Sequence, residues 1–322
     1  MTLRVAVQMD PIDQINIAGD SSFALMLSAQ ARGYELYEYP VESLTLDEED
    51  RLFAHAWPVT VKRVVGDHFA RGETVRLDLG ADIDVILMRQ DPPFHMGYIT
   101  ATHLLERIAR ETLVVNDPAN VRNSPEKVMV LNYRQFMPPT LVTRSVDEVR
   151  RFMSKHGAIV VKPIHGNGGK AIFRIGENAE NLTALFEVFN QTWPEPHMVQ
   201  PFLPEVKSGD KRIVLIDGEV AGAINRVPGE GEFRSNLAMG GSALPTELTQ
   251  REREICDALG PDLKRLGLTF VGIDVIGGKW LTEINVTSPT GIVAIDQFDN
   301  TDTAGRIWDA IERRLAERRT AA

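Results

Sequence analysis

Three oxygen-donor side chains near the end of the chain could hold a metal ion. Asp274 lies in one strand-like run and Glu283 and Asn285 in the next, with a Gly-Gly turn at 277–278 between them. Such a turn favours a β-hairpin. Glu283 and Asn285 share one strand face; with a two-residue turn, Asp274 lies opposite Leu281 and diagonal to Glu283. Polar groups like these are costly in an apolar hairpin unless something binds them, and Mg²⁺ with nucleotide phosphates is the natural ligand.

A glycine-rich loop and two lysines are suited to the phosphates. Gly166, Gly168 and Gly169 follow a buried strand and precede another strand-like run. The pattern therefore predicts a flap whose backbone N–H groups close over phosphates, not a dinucleotide-binding turn that opens a helix. Lys162 ends the preceding strand and Lys127 lies in the first turn of a helix, so both ammonium groups suit phosphate oxygens. Taken singly, the loop also fits an ordinary hairpin, and each lysine a surface position.

An extended segment further along the chain suits an adenine ring. Gln200, Pro201, Phe202 and Leu203 end one predicted strand. The backbone of such a segment can hydrogen-bond an adenine edge while apolar side chains enclose the ring. The alternative is a plain edge strand that contains a proline.

Local cations must meet any anionic substrate, because the net charge of −10 gives no general attraction for acids. The Gly-rich stretch after Arg226 is predicted to be a lid that closes on the substrate, and its alternative is a mobile surface loop. The candidate side chains are Arg89, Lys211, Arg212, Arg226, Arg234 and Asn236.

The carboxyl ends of the N-terminal strands offer a second group of polar residues. Arg89 and Asp91 follow one predicted strand, and Asp20 and Ser21 follow the first. Because ligands of open α/β sheets collect at the carboxyl ends of the strands, these residues are candidates for substrate contacts. For Asp20 a helix N-cap is the stronger interpretation.

Composition argues against several classes of function. A net charge of −10 over 322 residues disfavours a nucleic-acid-binding protein, which would need a basic face. No segment approaches the ~20 apolar residues of a membrane span, and no signal-peptide pattern is visible, so we expect a cytoplasmic protein. The single cysteine, Cys256, is predicted to be a half-buried helical side chain and not a nucleophile.

The elements that position these residues differ between the two halves of the chain. Strands alternate with helices at first, which predicts a parallel α/β sheet, and the insert at Val41–Gly80 is expected to be irregular or to form an extra hairpin. A helix capped by Ser124, with Pro125 at its first position, follows. Hairpin signals then predict an α+β second half. We expect an N-terminal α/β domain at 1–122, a central lid domain with the flap at 123–203, and a C-terminal domain with the metal residues at 204–322.

In their order along the chain, these residues resemble the ATP-grasp ligases and, more closely, the bacterial glutathione synthetase family. The resemblance covers essentially the whole chain. Its specific parts are Asp91–Phe94 and Thr282–Thr290, whereas the glycine loop alone is not specific. Two departures, His165 with Lys170 in the flap and Gly291 after Ser-Pro-Thr, bear on loop dynamics and acceptor fit and remove no ligand. Further matching motifs are Met9-Asp10-Pro11, Asp20–Ala24, Met88–Phe94, Asp210-Lys211-Arg212 and Arg234–Ala238.

The resemblance implies an ATP-grasp fold with an N-terminal pre-ATP-grasp domain. It implies ATP-dependent ligation of γ-glutamylcysteine and glycine through an acyl phosphate, two Mg²⁺ ions with Mn²⁺ as an alternative, and a homotetramer. By position, the metal ligands are Asp274, Glu283 and Asn285. The ATP contacts are Lys127, Lys162, Gly166, Gly168, Gly169, Gln200, Pro201, Phe202, Leu203 and Lys211. The catalytic residues are Arg212, Arg226, Arg234 and Asn236, and the substrate contacts are Asp20, Ser21, Arg89, Asp91, Ser288 and Thr290.

Two other functions stay open at this point. A ligase of the same fold could join a different acid and amine, and the lid at Arg226–Gly241 would then have to leave an opening for a larger substrate. A regulatory protein could bind ATP without catalysis, although an intact metal set together with Arg226 and Arg234 argues against it.

Overall fold

The part of the chain that the structure describes forms three β-sheets, each with its own helices. The computed structural model describes residues 2–229, 231–232, 234–235 and 241–321. Asn236, one of the predicted catalytic residues, lies outside the described residues. Within them, parallel strands occur only in the N-terminal sheet, and the two later sheets are antiparallel. The predicted α/β class, with an α+β second half, is confirmed.

The N-terminal sheet has a parallel centre and an antiparallel extension. Its strands are β1 (Arg4–Gln8), β2 (Glu35–Tyr39), β3 (Thr45–Leu46), β4 (Leu52–Val61), β5 (Phe69–Arg71), β6 (Val75–Asp78), β7 (Val85–Met88) and β8 (Leu113–Val115), and its helices are α1 (Ser21–Ala31), α2 (Met96–Arg107) and α3 (Pro118–Asn123). The order β2-β1-β7-β8 is parallel, with α1 and α2 as crossovers. The insert is not irregular but forms the strands β3–β6: β4 pairs antiparallel with β5 and β6, in line with the expected extra hairpin, and also pairs with β2, which extends the sheet.

The central region is a four-stranded antiparallel sheet covered by two helices. It contains α4 (Glu126–Met129), β9 (Leu141–Thr143), α5 (Val146–His156), β10 (Ile159–Pro163), β11 (Phe173–Ile175), α6 (Leu182–Thr192) and β12 (His197–Pro201). Val149 and Phe186 of the helices pack against Val161 and Val199 of the strands because each element is apolar on one face. The predicted Ser124 cap is wrong: Pro125 occupies the N-cap position, without a side-chain hydrogen bond.

The C-terminal region is built on a five-stranded antiparallel sheet in the order β15-β14-β13-β16-β17. Its elements are β13 (Asp210–Ile216), β14 (Glu219–Val227), β15 (Ser242–Pro245), α7 (Gln250–Arg265), β16 (Phe270–Ile276), β17 (Trp280–Asn285), α8 (Ile292–Asp299) and α9 (Thr303–Ala321). Asp217 and Gly218 both have positive φ in the two-residue turn between β13 and β14, the conformation of a tight hairpin turn. No helix in the described part of the chain is long and apolar enough to cross a membrane.

The hairpin of β16 and β17 differs from the predicted register. Ile276 pairs with Trp280, so the connecting loop has one residue more than the predicted Gly-Gly turn. A bulge at Thr282 then shifts the register, and Asp274 lies directly opposite Glu283. The predicted diagonal arrangement, with Leu281 opposite Asp274, is therefore wrong. The two carboxyl groups nevertheless remain on the same face of the sheet.

One side chain joins the N-terminal sheet to this hairpin. The amide nitrogen of Asn116, just after β8, donates to the carbonyl oxygens of Phe270 at 2.8 Å and Val286 at 2.7 Å. Its amide oxygen accepts from the Phe270 N–H at 2.9 Å. These buried hydrogen bonds hold the carboxyl end of the parallel sheet beside the predicted metal residues.

Candidate active site

The first cavity lies between the central and C-terminal sheets and has an empty volume of about 860 Å³. One part of its wall is apolar, and the other carries charged side chains. Such a cavity suits a ligand with a flat apolar ring at one end and anionic groups at the other. The apolar wall is Val160, Ile172, Phe202, Leu203, Val206 and Ile276, and the charged wall includes Lys127, Lys162, Asp210, Asp274 and Glu283.

Most of the predicted nucleotide contacts lie around the first cavity. Lys211 does not: it points to the opposite side of β13, where its Nζ lies 2.7 Å from Glu252, a carboxylate with no exposed surface. Successive side chains of a strand alternate between faces, so Lys211 cannot face the cavity that Asp210 lines. The predicted contacts that line the cavity are Lys127, Lys162, Gly166, Gly168, Gly169, Gln200, Pro201, Phe202 and Leu203.

Two buried ammonium groups stand at the charged wall. The Nζ of Lys127 is 2.6 Å from Glu283 Oε1 and also donates to the Gly166 carbonyl oxygen. Burial opposes this charge, but the Glu283 carboxylate outweighs it and raises the pKa of Lys127. Lys162 has no side-chain hydrogen bond or ion pair among the described residues, and burial lowers its pKa to about 8. A buried cation without a protein partner is suited to an anionic ligand.

The flap rests on the N-terminal domain. The glycine loop joins the antiparallel strands β10 and β11, as predicted, and Gly168 and Gly169 have positive φ. The ring of His165 stacks on Phe94 at a centroid distance of 5.5 Å, and the Asn167 amide donates to the Pro92 carbonyl oxygen at 3.4 Å. In this position the loop closes over the charged wall.

A buried ion network lies behind that wall. Asp274 Oδ1 accepts from Arg212 Nε at 2.6 Å and lies 3.0 Å from Arg226 Nη2. Arg226 Nη2 also donates to Asp210 Oδ2 at 2.7 Å, and Ser235 donates to the same oxygen at 3.1 Å. Burial would raise the pKa of Asp274, but the two guanidinium groups outweigh it and hold that pKa well below its usual range. Burial raises the pKa of Asp210 to about 6.

The three predicted metal ligands are brought together, but they are not equivalent. Asp274 is committed to two arginines, and the Asn285 amide donates to its Oδ2 at 3.4 Å. Glu283 keeps 18% of its side chain exposed and is the carboxylate that lines the cavity most openly. The described residues contain no cluster of three or more His, Cys, Asp or Glu side chains with metal-ligand geometry. A hard cation would therefore depend on Glu283 and Asn285, with ligand oxygens completing its coordination.

A second cavity adjoins the first and shares part of its wall, including Glu283, Gly168 and Lys170. A group bound at Glu283 is thus within reach of ligands in both cavities. This arrangement suits transfer of a group from one ligand to another. The other polar residues of this second cavity are Asp91, Glu126, Asn167, Arg212, Arg226, Asn285, Thr287, Ser288 and Thr290.

The predicted substrate contacts divide into two sets. Asp91, Ser288 and Thr290 line the second cavity. Arg89, Asp20 and Ser21 do not. The Arg89 guanidinium is buried behind the wall, where it donates to Ser22 Oγ at 3.0 Å and to the Pro289 carbonyl oxygen at 2.9 Å. Asp20 caps α1 by accepting from Phe23 N–H at 2.6 Å, as its stronger interpretation predicted, and Ser21 is fully buried.

The remaining predicted catalytic residues are the arginines. Arg212 and Arg226 line the second cavity and belong to the buried ion network. Arg234 lines the first cavity and forms an ion pair with Glu232 at 2.8 Å. Sequence reasoning did not assign a role to Asp210 or Glu126. Asp210 was visible only as part of the Asp-Lys-Arg motif, and Glu126 only as a helix-start residue beside Lys127.

Two sheets that enclose one cavity, with a second cavity at its charged end, are the arrangement expected of an ATP-grasp fold. The chain is similar to the solved D-cycloserine synthetase DcsG, with a TM-score of 0.68 and 17% identity over 97% of this chain and 99% of that one. It is also similar to the ATP-grasp ligase PsnB, solved with precursor peptide and AMPPNP, with a TM-score of 0.62 and 19% identity over 98% and 99% of the two chains. These likenesses confirm the predicted fold.

Sequence comparison gives the family. The prokaryotic glutathione synthetase N-terminal domain matches residues 3–122, and the prokaryotic glutathione synthetase ATP-grasp domain matches residues 126–300. A glutathione synthetase of Bradyrhizobium diazoefficiens is 56% identical over 317 residues, which cover 98% of this chain and 100% of that protein. The chain belongs to the prokaryotic glutathione synthetase family. It is an ATP-dependent carboxylate–amine ligase that joins γ-glutamylcysteine and glycine, and the predicted function is confirmed.

Proposed function

We propose that the first cavity holds ATP and that the second holds γ-glutamylcysteine and glycine, with Glu283 at the point of phosphoryl transfer. The observation that carries this assignment is that Glu283 lines both cavities. Lys127 and Lys162 bind phosphate oxygens, because they are buried ammonium groups at the charged wall. The backbone of Gln200–Leu203 meets the adenine edge, and the apolar side chains around it enclose the ring.

Glu283 and Asn285 would hold the divalent cation that ATP-grasp ligases typically use, Mg²⁺ or alternatively Mn²⁺, with Asp274 behind them. Two ions are proposed on the family resemblance. The donor set fits: hard oxygen atoms on one sheet face beside a cavity that also accepts phosphates. When bound, the cation neutralises charge on the β- and γ-phosphates.

The protein side chains orient and stabilise charge, and no side chain forms a covalent bond. A carboxylate oxygen of γ-glutamylcysteine attacks the γ-phosphorus, ADP leaves, and an acyl phosphate forms. The glycine amine then attacks the acyl carbon, phosphate leaves, and the amine loses a proton. Arg212 and Arg226 are at the wall where this negative charge develops, and the Asp210–Asp274 pair holds their guanidinium groups in place.

The flap and Arg234 complete the enclosure. Contacts of His165 with Phe94 and of Asn167 with Pro92 hold the glycine loop over the reacting groups. Exclusion of water matters here because an acyl phosphate that meets water is hydrolysed. Asn236 would belong to the same lid on the family resemblance alone.

A homotetramer and a cytoplasmic location complete the proposal. Both rest on the family resemblance. Light scattering of the purified protein gives the oligomeric state directly, and a mass near that of a single chain of 35.8 kDa would contradict the tetramer.

Glu283→Gln tests the proposed site. The substitution keeps the side-chain shape and removes the charge, so we expect kcat for glutathione formation to fall by about 10²–10³-fold while the far-UV circular dichroism spectrum stays unchanged. Glu187→Gln, the same change at an exposed position on α6, is the matched control and should keep full activity. A fully active Glu283→Gln enzyme would refute the proposed role of this carboxylate in phosphoryl transfer.

A further inference from the structure

One carboxylate in the second cavity takes no part in the proposed ligation steps. Glu126 is the first residue of α4, next to Lys127 in sequence. Its Oε1 accepts from Thr287 Oγ1 at 2.7 Å and, at 3.5 Å, from the Thr287 N–H. Among the described residues, no lysine, arginine or histidine forms an ion pair with it, and its Oε2 has no hydrogen-bond partner. A carboxyl group of the cavity is therefore left without a direct ion-pair partner among the described residues.

A desolvated carboxylate is costly unless a cation compensates its charge. Burial, followed by the neighbouring Glu283 carboxylate, raises the pKa of Glu126 to about 7. Among the other carboxylates that line the two cavities, Asp274 and Asp210 bind arginines and Glu283 binds Lys127, whereas Asp91 is exposed and makes no ion pair among the described residues. Glu126 is less exposed than Asp91, and it is hydrogen-bonded only to the hydroxyl and the backbone N–H of Thr287.

The ligation supplies two ammonium groups that could meet it. One is on the γ-glutamyl end of the dipeptide, and the other is on glycine. Glu126 lies beside Lys127 and lines the second cavity together with Glu283. Glu283 marks the end of that cavity where phosphoryl transfer is proposed. The reacting carboxyl carbon must be at this end. The γ-glutamyl ammonium is at the opposite end of the dipeptide, whereas the glycine nitrogen must approach the reacting carbon itself.

We infer that the Glu126 carboxylate receives the ammonium group of glycine and orients the acceptor amine, while Thr287 holds the carboxylate in place. The inference rests on the proposed function, since it takes the second cavity as the place of ligation. It makes Glu126 a determinant of acceptor choice: amino acids with an ammonium group are favoured over uncharged amines. The first contact is a charge-assisted hydrogen bond, which is among the stronger kinds in proteins.

Glu126→Gln separates this role from a structural one. Glutamine keeps the shape and can still accept from Thr287, but it carries no charge. We expect the KM for glycine to rise by about 10- to 100-fold, the range for loss of a hydrogen bond to a charged group. The KM values for γ-glutamylcysteine and ATP should change by less than about twofold. Glu187→Gln, at an exposed site, is the control and should leave all three KM values unchanged.

Hydroxylamine provides the decisive second readout. It is uncharged at neutral pH and traps an acyl phosphate as a hydroxamate, so its reaction needs no partner for an ammonium group. Glu126→Gln should therefore form the hydroxamate at the rate of the unaltered enzyme while it uses glycine poorly. Glu126→Asp, which restores a shorter carboxylate, should lie between the two in its KM for glycine.

Several results would overturn the inference. An unchanged KM for glycine in Glu126→Gln would exclude the contact. A rise in the KM for γ-glutamylcysteine alone would assign the carboxylate to the γ-glutamyl ammonium instead. A parallel loss of glycine and hydroxylamine turnover would place Glu126 in phosphoryl transfer. Absence of hydroxamate from the unaltered enzyme is a different failure: it would refute the acyl phosphate route of the proposed function, and the inference with it.

Discussion

Asp274→Asn is the substitution whose cost the geometry defines best. The carboxylate is 3% exposed and contacts two guanidinium groups that are themselves 7% and 5% exposed, at 2.6 Å for Arg212 and 3.0 Å for Arg226. Asparagine has nearly the same shape but leaves Arg212 without a buried anion, while Arg226 keeps Asp210. Removal of one partner from a buried pair costs about 3–5 kcal/mol. We expect the free energy of unfolding to fall by that amount, and the activity to be lost because Arg212 is no longer held.

Urea unfolding followed by circular dichroism measures this cost. Asp50→Asn is the matched control, because Asp50 makes a two-pronged contact with Arg107 in which the side chains are 57% and 47% exposed. An exposed pair of this kind contributes about 0–1 kcal/mol. The reasoning is refuted if Asp274→Asn costs no more than Asp50→Asn. The sign of the pH dependence follows too: the pKa of folded Asp274 is depressed, so its contribution is present above the unfolded value near 3.9 and is lost as pH falls towards the folded value.

Two further predictions concern titratable side chains. Burial lowers the pKa of Lys162 to about 8, so its ammonium group is lost as the pH rises past that value. The Kd for MgATP, measured by calorimetry, should therefore rise by about tenfold between pH 7 and pH 9. Lys162→Arg, which stays charged, should remove most of that change. A pH-independent Kd would contradict a role for this ammonium. Burial raises the pKa of Cys256 to about 12, so at pH 8 only about one thiol in 10⁴ is ionised. A thiol reagent should therefore label the folded protein far more slowly than the urea-unfolded protein. Equal labelling rates would refute the buried placement of Cys256.

Local sequence patterns predicted much of the fold correctly. The two strands that carry Asp274 and Glu283 lie where the sequence placed them, because runs of apolar and β-branched residues end at clear turn signals. The insert at Val41–Gly80 was predicted less well. Its main strand, β4, is stabilised by pairing with β2, and such non-local pairing leaves no local periodicity that would distinguish it from an irregular segment.

The sequence predicted those features of the site that follow from residue type. It did not predict the features that depend on strand register or on partners far away along the chain. The Gly-Gly turn indicated the hairpin, but the bulge at Thr282 that sets Asp274 opposite Glu283 comes from tertiary pairing. The two arginines that form ion pairs with the Asp274 carboxylate lie on other strands, Arg212 on β13 and Arg226 on β14. Lys211 is a different case: strand alternation places it opposite to Asp210 and Arg212, so the sequence contained the evidence against it as a cavity residue.

The measurement that tests the central claim most directly is phosphate release from MgATP with γ-glutamylcysteine, with and without glycine, followed by mass analysis of the product. Because this chain belongs to the prokaryotic glutathione synthetase family, phosphate release should depend on glycine and the product should have the mass of glutathione. No turnover in spite of tight MgATP binding, or glycine-independent release without glutathione, would contradict the account.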